Sequence, residues 1–275
     1  MNVLTKSAAA LALFAAPAML PSTAANAGVG DLLVAPTRIV LDGRKGAEII
    51  LNNIGDEPAT YRISVEFRRM LPDGTLDDVA EITDAEKAAR DMIIYAPRRV
   101  TLAPKEPQSI RISARPPKGL PDGEYRVHLL FRAVPPPTPV TDTAAQQAKG
   151  VSFKLIPIYG VTIPVIVRLG NLAVQASISD VRVEQRDGKP AIALQLSRSG
   201  TRSTFGDVRI LKSGVKDPIA IQRAVAVYTD VTRRAVTIPV ADSFKGQLTG
   251  PVTVQYVETF SDGSKTLAET QAVLR

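Results

Sequence analysis

The sequence predicts an all-β protein built from β-sandwiches, and three observations support this prediction. Apolar and polar residues alternate through most of the chain, and valine, isoleucine and threonine are frequent, as is typical of strands with one buried face. Only one short patch has a helical pattern. Asp-Gly pairs, which favour tight turns, separate the alternating runs, and they are Asp42-Gly43, Asp73-Gly74, Asp122-Gly123, Asp187-Gly188 and Asp262-Gly263.

Residues 1–27 have the layout of a secretory signal peptide. Lys6 precedes a run rich in alanine and leucine that ends at Leu20, and Ala25-Asn26-Ala27 then resembles a cleavage site. We expect cleavage after Ala27. A transmembrane anchor is disfavoured because Pro17 interrupts the apolar run, which is shorter than the roughly 20 residues that a spanning helix needs. The mature chain is therefore expected to be exported and not membrane-spanning.

The first half of the mature chain, residues 28–170, is expected to form one domain. Its single helical patch covers residues 84–90, where Thr83 and Glu86 have the spacing of a capping box. Residues 135–139 are rich in proline and residues 141–150 are small and polar, so both are expected to form a loop. Before this loop, strands are predicted over residues 32–41, 47–53, 59–69, 93–102, 108–115 and 123–134.

An unusually long strand is predicted after the loop, over residues 151–168. A typical strand has about 5 to 6 residues, so part of this one is expected to serve a partner. Every odd position from 151 to 167 is apolar, which makes one face continuously hydrophobic. The even face is mixed, and both faces remain candidates for the partner contact. The odd candidates are Phe153, Leu155, Pro157, Tyr159 and Val161, and the even candidates are Ile156 and Ile158.

A second domain is predicted over residues 171–275. The boundary is placed near Leu169-Gly170-Asn171, after which a new series of alternating runs begins. Two sandwiches of about 100 residues or slightly more fit the number of predicted strands. The predicted strands of the second domain cover residues 173–184, 191–197, 205–211, 219–228, 235–239, 252–260 and 266–274.

The composition excludes several classes of site. The chain has no cysteine, so disulfides and thiolate metal sites are excluded. The formal net charge is +7, but the basic residues are scattered, whereas nucleic-acid binders cluster them on one face. No nucleic acid, metal or cofactor is therefore expected as a partner.

The sequence contains no recognisable set of catalytic residues. The single histidine, His128, lies inside a predicted strand, where a packed or edge position is the favoured interpretation. The chain has no Gly-x-Ser-x-Gly motif and no glycine-rich phosphate loop. Asp73, Asp77 and Asp78 could bind a cation, but an acidic hairpin tip is favoured. We therefore expect that the protein is not an enzyme.

Arg38 is the most informative charged residue. It lies among apolar neighbours at the first predicted strand, where a charged side chain needs either water or an anionic partner. A solvent-facing position and a binding role both remain open. Arg98 and Arg99 are expected to be surface residues or partners of internal carboxylates.

Four motifs in this order resemble the N-terminal domain of the PapD-like periplasmic pilus-assembly chaperones, the chaperone-usher family. The resemblance covers residues 29–170, whereas the second half matches mainly in being a β domain of suitable size. The motifs are Pro36-Thr-Arg38-Ile-Val-Leu-Asp-Gly43, Ala96-Pro97-Arg98-Arg99-Val-Thr-Leu-Ala-Pro104, Gln108-Ser-Ile-Arg-Ile112 and Leu120-Pro-Asp-Gly-Glu-Tyr-Arg126.

The resemblance implies two immunoglobulin-like sandwiches and a non-enzymatic function in the periplasm. Members of the family bind pilus (fimbrial) subunits, donate the long strand to the subunit's groove and deliver the subunit to an outer-membrane usher. The alignment favours the odd face of the long strand as the donor face. A structural or adhesive tandem-sandwich pilus protein is the alternative, and a secreted hydrolase is the third option.

The resemblance also implies an anchoring residue. Arg38 matches the family's arginine that binds the C-terminal carboxylate of the subunit. Pro164 stands where the family has a partner lysine, so the pair of cations is incomplete here. Lys154 could substitute only in another register, and Arg168 matches a later arginine of the family motif.

Overall fold

The computed structural model of the protein describes residues 31–135, 158–260 and 263–275. Within these ranges, strands form two sandwiches, and each has its own hydrophobic core. This confirms the predicted all-β class and the prediction of two β-sandwiches. The predicted signal peptide and residues 151–157 of the predicted long strand lie outside the described residues.

The N-terminal sandwich has two facing sheets and a small hairpin. One sheet has the order β1-β3-β9-β7, the other β2-β11-β10-β4-β8, and β5 pairs with β6. All pairs are antiparallel except β2 with β11. The elements are β1 (Leu32–Ala35), β2 (Ile39–Leu41), β3 (Ala47–Asn53), β4 (Ala59–Glu66), β5 (Arg68–Met70), β6 (Leu76–Asp78), α1 (Asp84–Met92), β7 (Ile93–Ala96), β8 (Arg99–Leu102), β9 (Pro107–Ala114), β10 (Gly123–Val134) and β11 (Gly160–Leu169).

Two predicted strands are each divided between the two sheets. The prediction of one strand over residues 32–41 is wrong, because β1 belongs to one sheet and β2 to the other. Residues 93–102 behave in the same way, with β7 and β8 in different sheets. Pro36 and Pro97 lie at the two breaks. A proline cannot donate to a ladder, so each chain segment leaves its first sheet there.

Helix α1 begins as predicted and ends two residues later than predicted. The Thr83 hydroxyl accepts a hydrogen bond from the Glu86 amide, and the Glu86 carboxylate accepts one from the Thr83 amide. Ala89 and Met92 are buried in the N-terminal core. None of the helices in the described part of the chain is long and apolar enough to cross a bilayer.

The C-terminal sandwich has a three-stranded and a four-stranded sheet. Their orders are β12-β13-β16 and β15-β14-β17-β18. The first core ends at Val167 and the second begins at Ile178, while the exact domain boundary after Gly170 stays a prediction. The strands are β12 (Val174–Arg186), β13 (Lys189–Gly200), β14 (Thr204–Lys212), β15 (Ala220–Val227), β16 (Arg233–Pro239), β17 (Gly250–Phe260) and β18 (Gly263–Leu274).

Candidate functional site

Strand β11 has one free backbone edge. It pairs with β10 over its whole length, whereas β2 pairs only with residues 165–167 on the other side. Within residues 31–135, 158–260 and 263–275, no strand pairs with residues 160–164 on that second side. An unpaired edge is a template on which another strand can be added.

The hydrogen-bond pattern shows which backbone groups point to the free edge. The Ala133 amide donates to the Tyr159 carbonyl over 2.9 Å, and opposite residues in an antiparallel ladder alternate between bonded and non-bonded pairs. Odd residues of β11 therefore bond to β10, and even residues point away from it. The free edge offers the N–H groups and the carbonyls of Gly160 and Thr162, while the Pro164 carbonyl faces the Ile39 amide of β2.

Pro164 lies on this free edge without interrupting β11. It is opposite His128 of β10, at a non-bonded position, so its missing N–H removes no bond to β10. A proline within a strand requires either an interrupted ladder or an edge position. The edge position is the one found.

The odd face of β11 serves the N-terminal sandwich itself. Ile163, Val165 and Val167 are buried in the core, and the half-buried Val161 packs against it. Val161 thus packs on this chain's own core, and its contact with a partner stays a prediction. Its side chain points between the two sheets, as the side chains of the following odd residues do.

The residues just before β11 are exposed. Tyr159 has 57% of its surface exposed and Ile158 has 47%, and both precede the first residue of the strand, although the sequence predicted a strand there. The other candidates for partner contact, Phe153, Leu155, Ile156 and Pro157, lie outside the described residues.

Arg38 lies beside the end of the free edge. It directly precedes β2, and Ile39 pairs with Val165 in the parallel ladder, so Arg38 lies next to Pro164. Its Nε and Nη2 atoms are buried and have no hydrogen-bond acceptor among the described residues. The Cζ atom lies 4.5 Å from the centre of the Phe205 ring. Arg38 is thus a half-buried cation with free donors.

The surroundings of Arg38 disfavour the charged form of its guanidinium. Burial lowers the pKa of Arg38, and the positive charge of Arg168 lowers it further. Tyr228, Glu124 and Glu258 act in the opposite direction from a distance. An unpaired buried charge is costly, so an anion that reached these N–H groups would be bound favourably.

Arg168 does not supply a second free cation. Its Nε donates to the Glu124 carboxylate over 2.9 Å, and Nη2 donates to the Ser203 carbonyl over 3.2 Å. The Glu124 side chain is fully buried and also accepts from the Ser203 amide and hydroxyl. This network links the two sandwiches. No local signal in the sequence marks Glu124 or Ser203 as site residues.

A second contact between the sandwiches involves Asp230. Its carboxylate accepts hydrogen bonds from the Arg126 guanidinium and, over 2.9 Å, from the Met70 amide. The Arg126 Cζ atom also lies 4.0 Å from the centre of the Tyr228 ring. Around these contacts is a small apolar interface cluster, which consists of Met70, Ile166, Ala226 and Tyr228, with Phe205 packed against it.

The hairpin of β5 and β6 extends this contact to the C-terminal sandwich. The Ala235 amide donates to the Pro72 carbonyl over 2.7 Å. The turn contains Asp73, whose carboxylate accepts hydrogen bonds from the Thr75 amide and hydroxyl. Within the described ranges, no group of acidic or histidine side chains has the arrangement of a metal site. Asp73 lies in the turn of this hairpin, and Asp77 and Asp78 lie in β6.

The remaining candidate residues from the sequence are His128, Arg98 and Arg99. His128 is 1% exposed, and neither ring nitrogen has a hydrogen-bond partner among the described residues. Burial, together with the charges of Arg126 and Arg68, lowers its pKa to about 3, so it is a packed neutral residue. Arg98 and Arg99 are exposed.

The chain matches no protein-family model and no curated protein. It is similar to several solved structures. The YadV chaperone is 14% identical, covers 89% of this chain and all of its own, and has a TM-score of 0.45. The E. coli chaperone DraB is 17% identical, with 91% of this chain and 99% of its own covered and a TM-score of 0.44. The Salmonella enterica SafA pilin in complex with the SafB chaperone gives 14% identity, coverage of 88% and 96%, and a TM-score of 0.42.

Proposed function

We propose that this protein is a periplasmic chaperone that binds pilus subunits by strand addition. One observation carries the proposal: the free edge of β11 over residues 160–164 ends beside Arg38, whose buried donors have no acceptor among the described residues. The four sequence motifs that resemble the PapD-like family support the same function. Export with cleavage after Ala27 and delivery of the subunit to an outer-membrane usher are parts of this proposal.

The direction of β2 favours a particular partner strand. Since β2 runs parallel to β11, a strand added along residues 160–164 in the same direction ends next to Arg38 with its C-terminal carboxylate. A strand in the opposite direction brings its N-terminal ammonium there, beside another cation. The position of Arg38 therefore favours a parallel partner with a free C-terminal carboxylate.

The contributions to affinity are unequal. Each backbone hydrogen bond along the edge is worth about 0.5 to 1.5 kcal/mol net, and a bond to a charged group about 1.5 to 3 kcal/mol. Each large apolar side chain that enters a groove adds roughly 1.5 to 3 kcal/mol, before the costs of association. Strand addition is thus expected to supply most of the affinity, and Arg38 mainly fixes the register.

The donor side chains are proposed to come from the segment before β11. Phe153, Leu155, Pro157 and Tyr159 form the favoured odd set, and Ile158 with Ile156 forms the rival set. Tyr159 and Ile158 are both exposed, so exposure does not separate the two sets.

Amide hydrogen exchange tests whether a partner strand is added to the free edge of β11. The probe is a peptide of about ten residues, near the upper length of ordinary strands, with alternating valine and threonine and a free C-terminal carboxylate. We expect the peptide to slow exchange at Gly160 and Thr162, whose N–H groups point outward. Exchange at Val161 and Ile163, which are already bonded to β10, serves as the internal control. Unchanged exchange at Gly160 and Thr162 under saturating peptide would contradict strand addition here.

Substitution of Arg38 tests whether this residue binds the C-terminal carboxylate of the partner strand. Arg38→Ala is expected to weaken binding of the free acid about tenfold or more and to leave binding of the C-terminally amidated peptide unchanged. Arg99→Ala is the matched control, because Arg99 is exposed in β8 at the opposite edge of the same sheet. Equal losses for both peptides would show that Arg38 does not bind the carboxylate.

Gel filtration of the protein alone tests the alternative function, a structural or adhesive pilus protein. Such a protein is expected to polymerise by itself, whereas a chaperone is not.

A further inference from the structure

We propose that Phe205 of the C-terminal sandwich positions Arg38 for carboxylate binding, so that both sandwiches build the anchor. This inference rests on the proposed function and deepens it. Phe205 lies in β14, whereas Arg38 precedes β2, and the distance from Cζ to the ring centre is 4.5 Å. That separation lies within the range of a cation–π interaction.

The position of the Phe205 ring is fixed by packing. It is half-buried and packs against the interface cluster of Met70, Ile166, Ala226 and Tyr228. A ring held in this way presents a constant surface to the guanidinium. Arg38 itself has no ion pair within 4.0 Å and no hydrogen-bond acceptor for Nε or Nη2 among the described residues, so no polar contact found there orients it.

The chemistry of the guanidinium explains why stacking suits a binding role. The aromatic ring interacts with the flat face of the group, whereas carboxylates bind its N–H edge. A stack therefore holds the plane of Arg38 without using its N–H donors. A paired carboxylate in the protein would instead occupy the donors. Pro164, which lies where the resemblance predicts a lysine, offers no second cation, so the orientation of Arg38 matters more.

A second stack in the same interface provides a contrast. Arg126 of the N-terminal sandwich lies over Tyr228 of the C-terminal sandwich at 4.0 Å. Its Nη2 atom, however, donates to the Asp230 carboxylate and to the Arg68 carbonyl, and only Nη1 has no partner among the described residues. The Arg126 stack joins the sandwiches, whereas the Arg38 stack leaves Nε and Nη2 without a partner among the described residues.

The test uses the same peptide as a free acid and as an amide. We define the carboxylate ratio as the Kd of the amide divided by the Kd of the free acid, and we expect about 10 to 100 for the unmodified protein. Phe205→Leu is expected to reduce the ratio about three- to tenfold, whereas Phe205→Tyr preserves it. Phe244→Leu is the matched control, because Phe244 is a half-buried phenylalanine of the same sandwich that packs against the C-terminal core and not against the interface cluster.

Fluorinated phenylalanines at position 205 separate the stack from simple packing. Successive ring fluorines weaken the negative face with little change of shape, so a cation–π contact predicts a stepwise fall of the carboxylate ratio. A ratio that is unchanged in Phe205→Leu and along this series would overturn the role of Phe205. An equal fall in Phe244→Leu would also overturn it. A ratio of one in the unmodified protein would instead refute the carboxylate anchor of the proposed function.

Discussion

Replacing His128 with leucine is expected to make the fold more resistant to mild acid. His128 is buried, and both ring nitrogens lack a hydrogen-bond partner among the described residues. Its neighbours across the sheet are Glu66 in β4 and Pro164 in β11, and the Glu66 carboxylate already accepts from Arg68 and Thr162. A protonated imidazole would therefore be poorly accommodated.

The size of the effect follows from the pKa of His128 in the two states. Burial and the nearby arginines lower the pKa from 6.5 to about 3 in the folded protein. Between these values the unfolded chain binds a proton that the folded protein does not, so the free energy of unfolding falls as the pH falls. Each pH unit is worth about 1.4 kcal/mol. Acidification from pH 6.5 to pH 5 therefore costs about 2 kcal/mol.

Urea denaturation at several pH values measures this effect. The window from pH 6.5 to pH 5 lies above the ordinary pKa values of Asp and Glu, so the histidine dominates it. We expect His128→Leu to match the unmodified protein or exceed it in stability at pH 7.5 and to lose about 2 kcal/mol less on acidification to pH 5. Equal pH dependence of the two proteins, or an imidazole NMR signal that titrates near pH 6.5 in the folded protein, would refute the argument.

Two further predictions concern the contacts between the sandwiches. Glu124→Gln should lower the free energy of unfolding by about 2 to 4 kcal/mol, because it leaves the buried part of the Arg168 guanidinium without its counter-ion; an unchanged urea midpoint would contradict this. Gly74→Ala should cost about 1 to 2 kcal/mol more than Gly119→Ala. Both glycines have positive φ, but a Cβ at Gly74 collides with Arg234 whereas one at Gly119 meets nothing. Equal costs would show that the hairpin does not dock on Arg234.

The alternation of the sequence predicted most strands but not the sheet to which each belongs. Residues 123–134 were predicted as one strand and form β10, whereas residues 32–41 form two strands in different sheets. The reason is physical: a sandwich has one core between its sheets, so a segment that crosses from one sheet to the other keeps its apolar side chains facing the same core. The alternation therefore looks the same on both sides of the crossing.

The candidate site was predictable only in part, for a related reason. Arg38 was identifiable because a charge among apolar neighbours is a local signal. Phe205 and the pairing of Glu124 with Arg168 depend on contacts between distant parts of the chain. The local alternation of apolar and polar residues cannot predict such contacts, because the two residues of each pair lie in different elements. Arg38 and Phe205 even lie in different sandwiches.

Pro164 also bears on how the protein avoids binding itself. Free strand edges tend to join edge to edge, and proline is one of the residues by which natural proteins block this association. If two copies paired antiparallel through residues 160–164, each Pro164 would leave one carbonyl of the other copy without a donor, and the two Arg38 cations would face incoming backbone without an anion. A partner that ends in a carboxylate beside Arg38 supplies that anion. The same residue thus keeps the edge available and limits its use by a second copy of the chain.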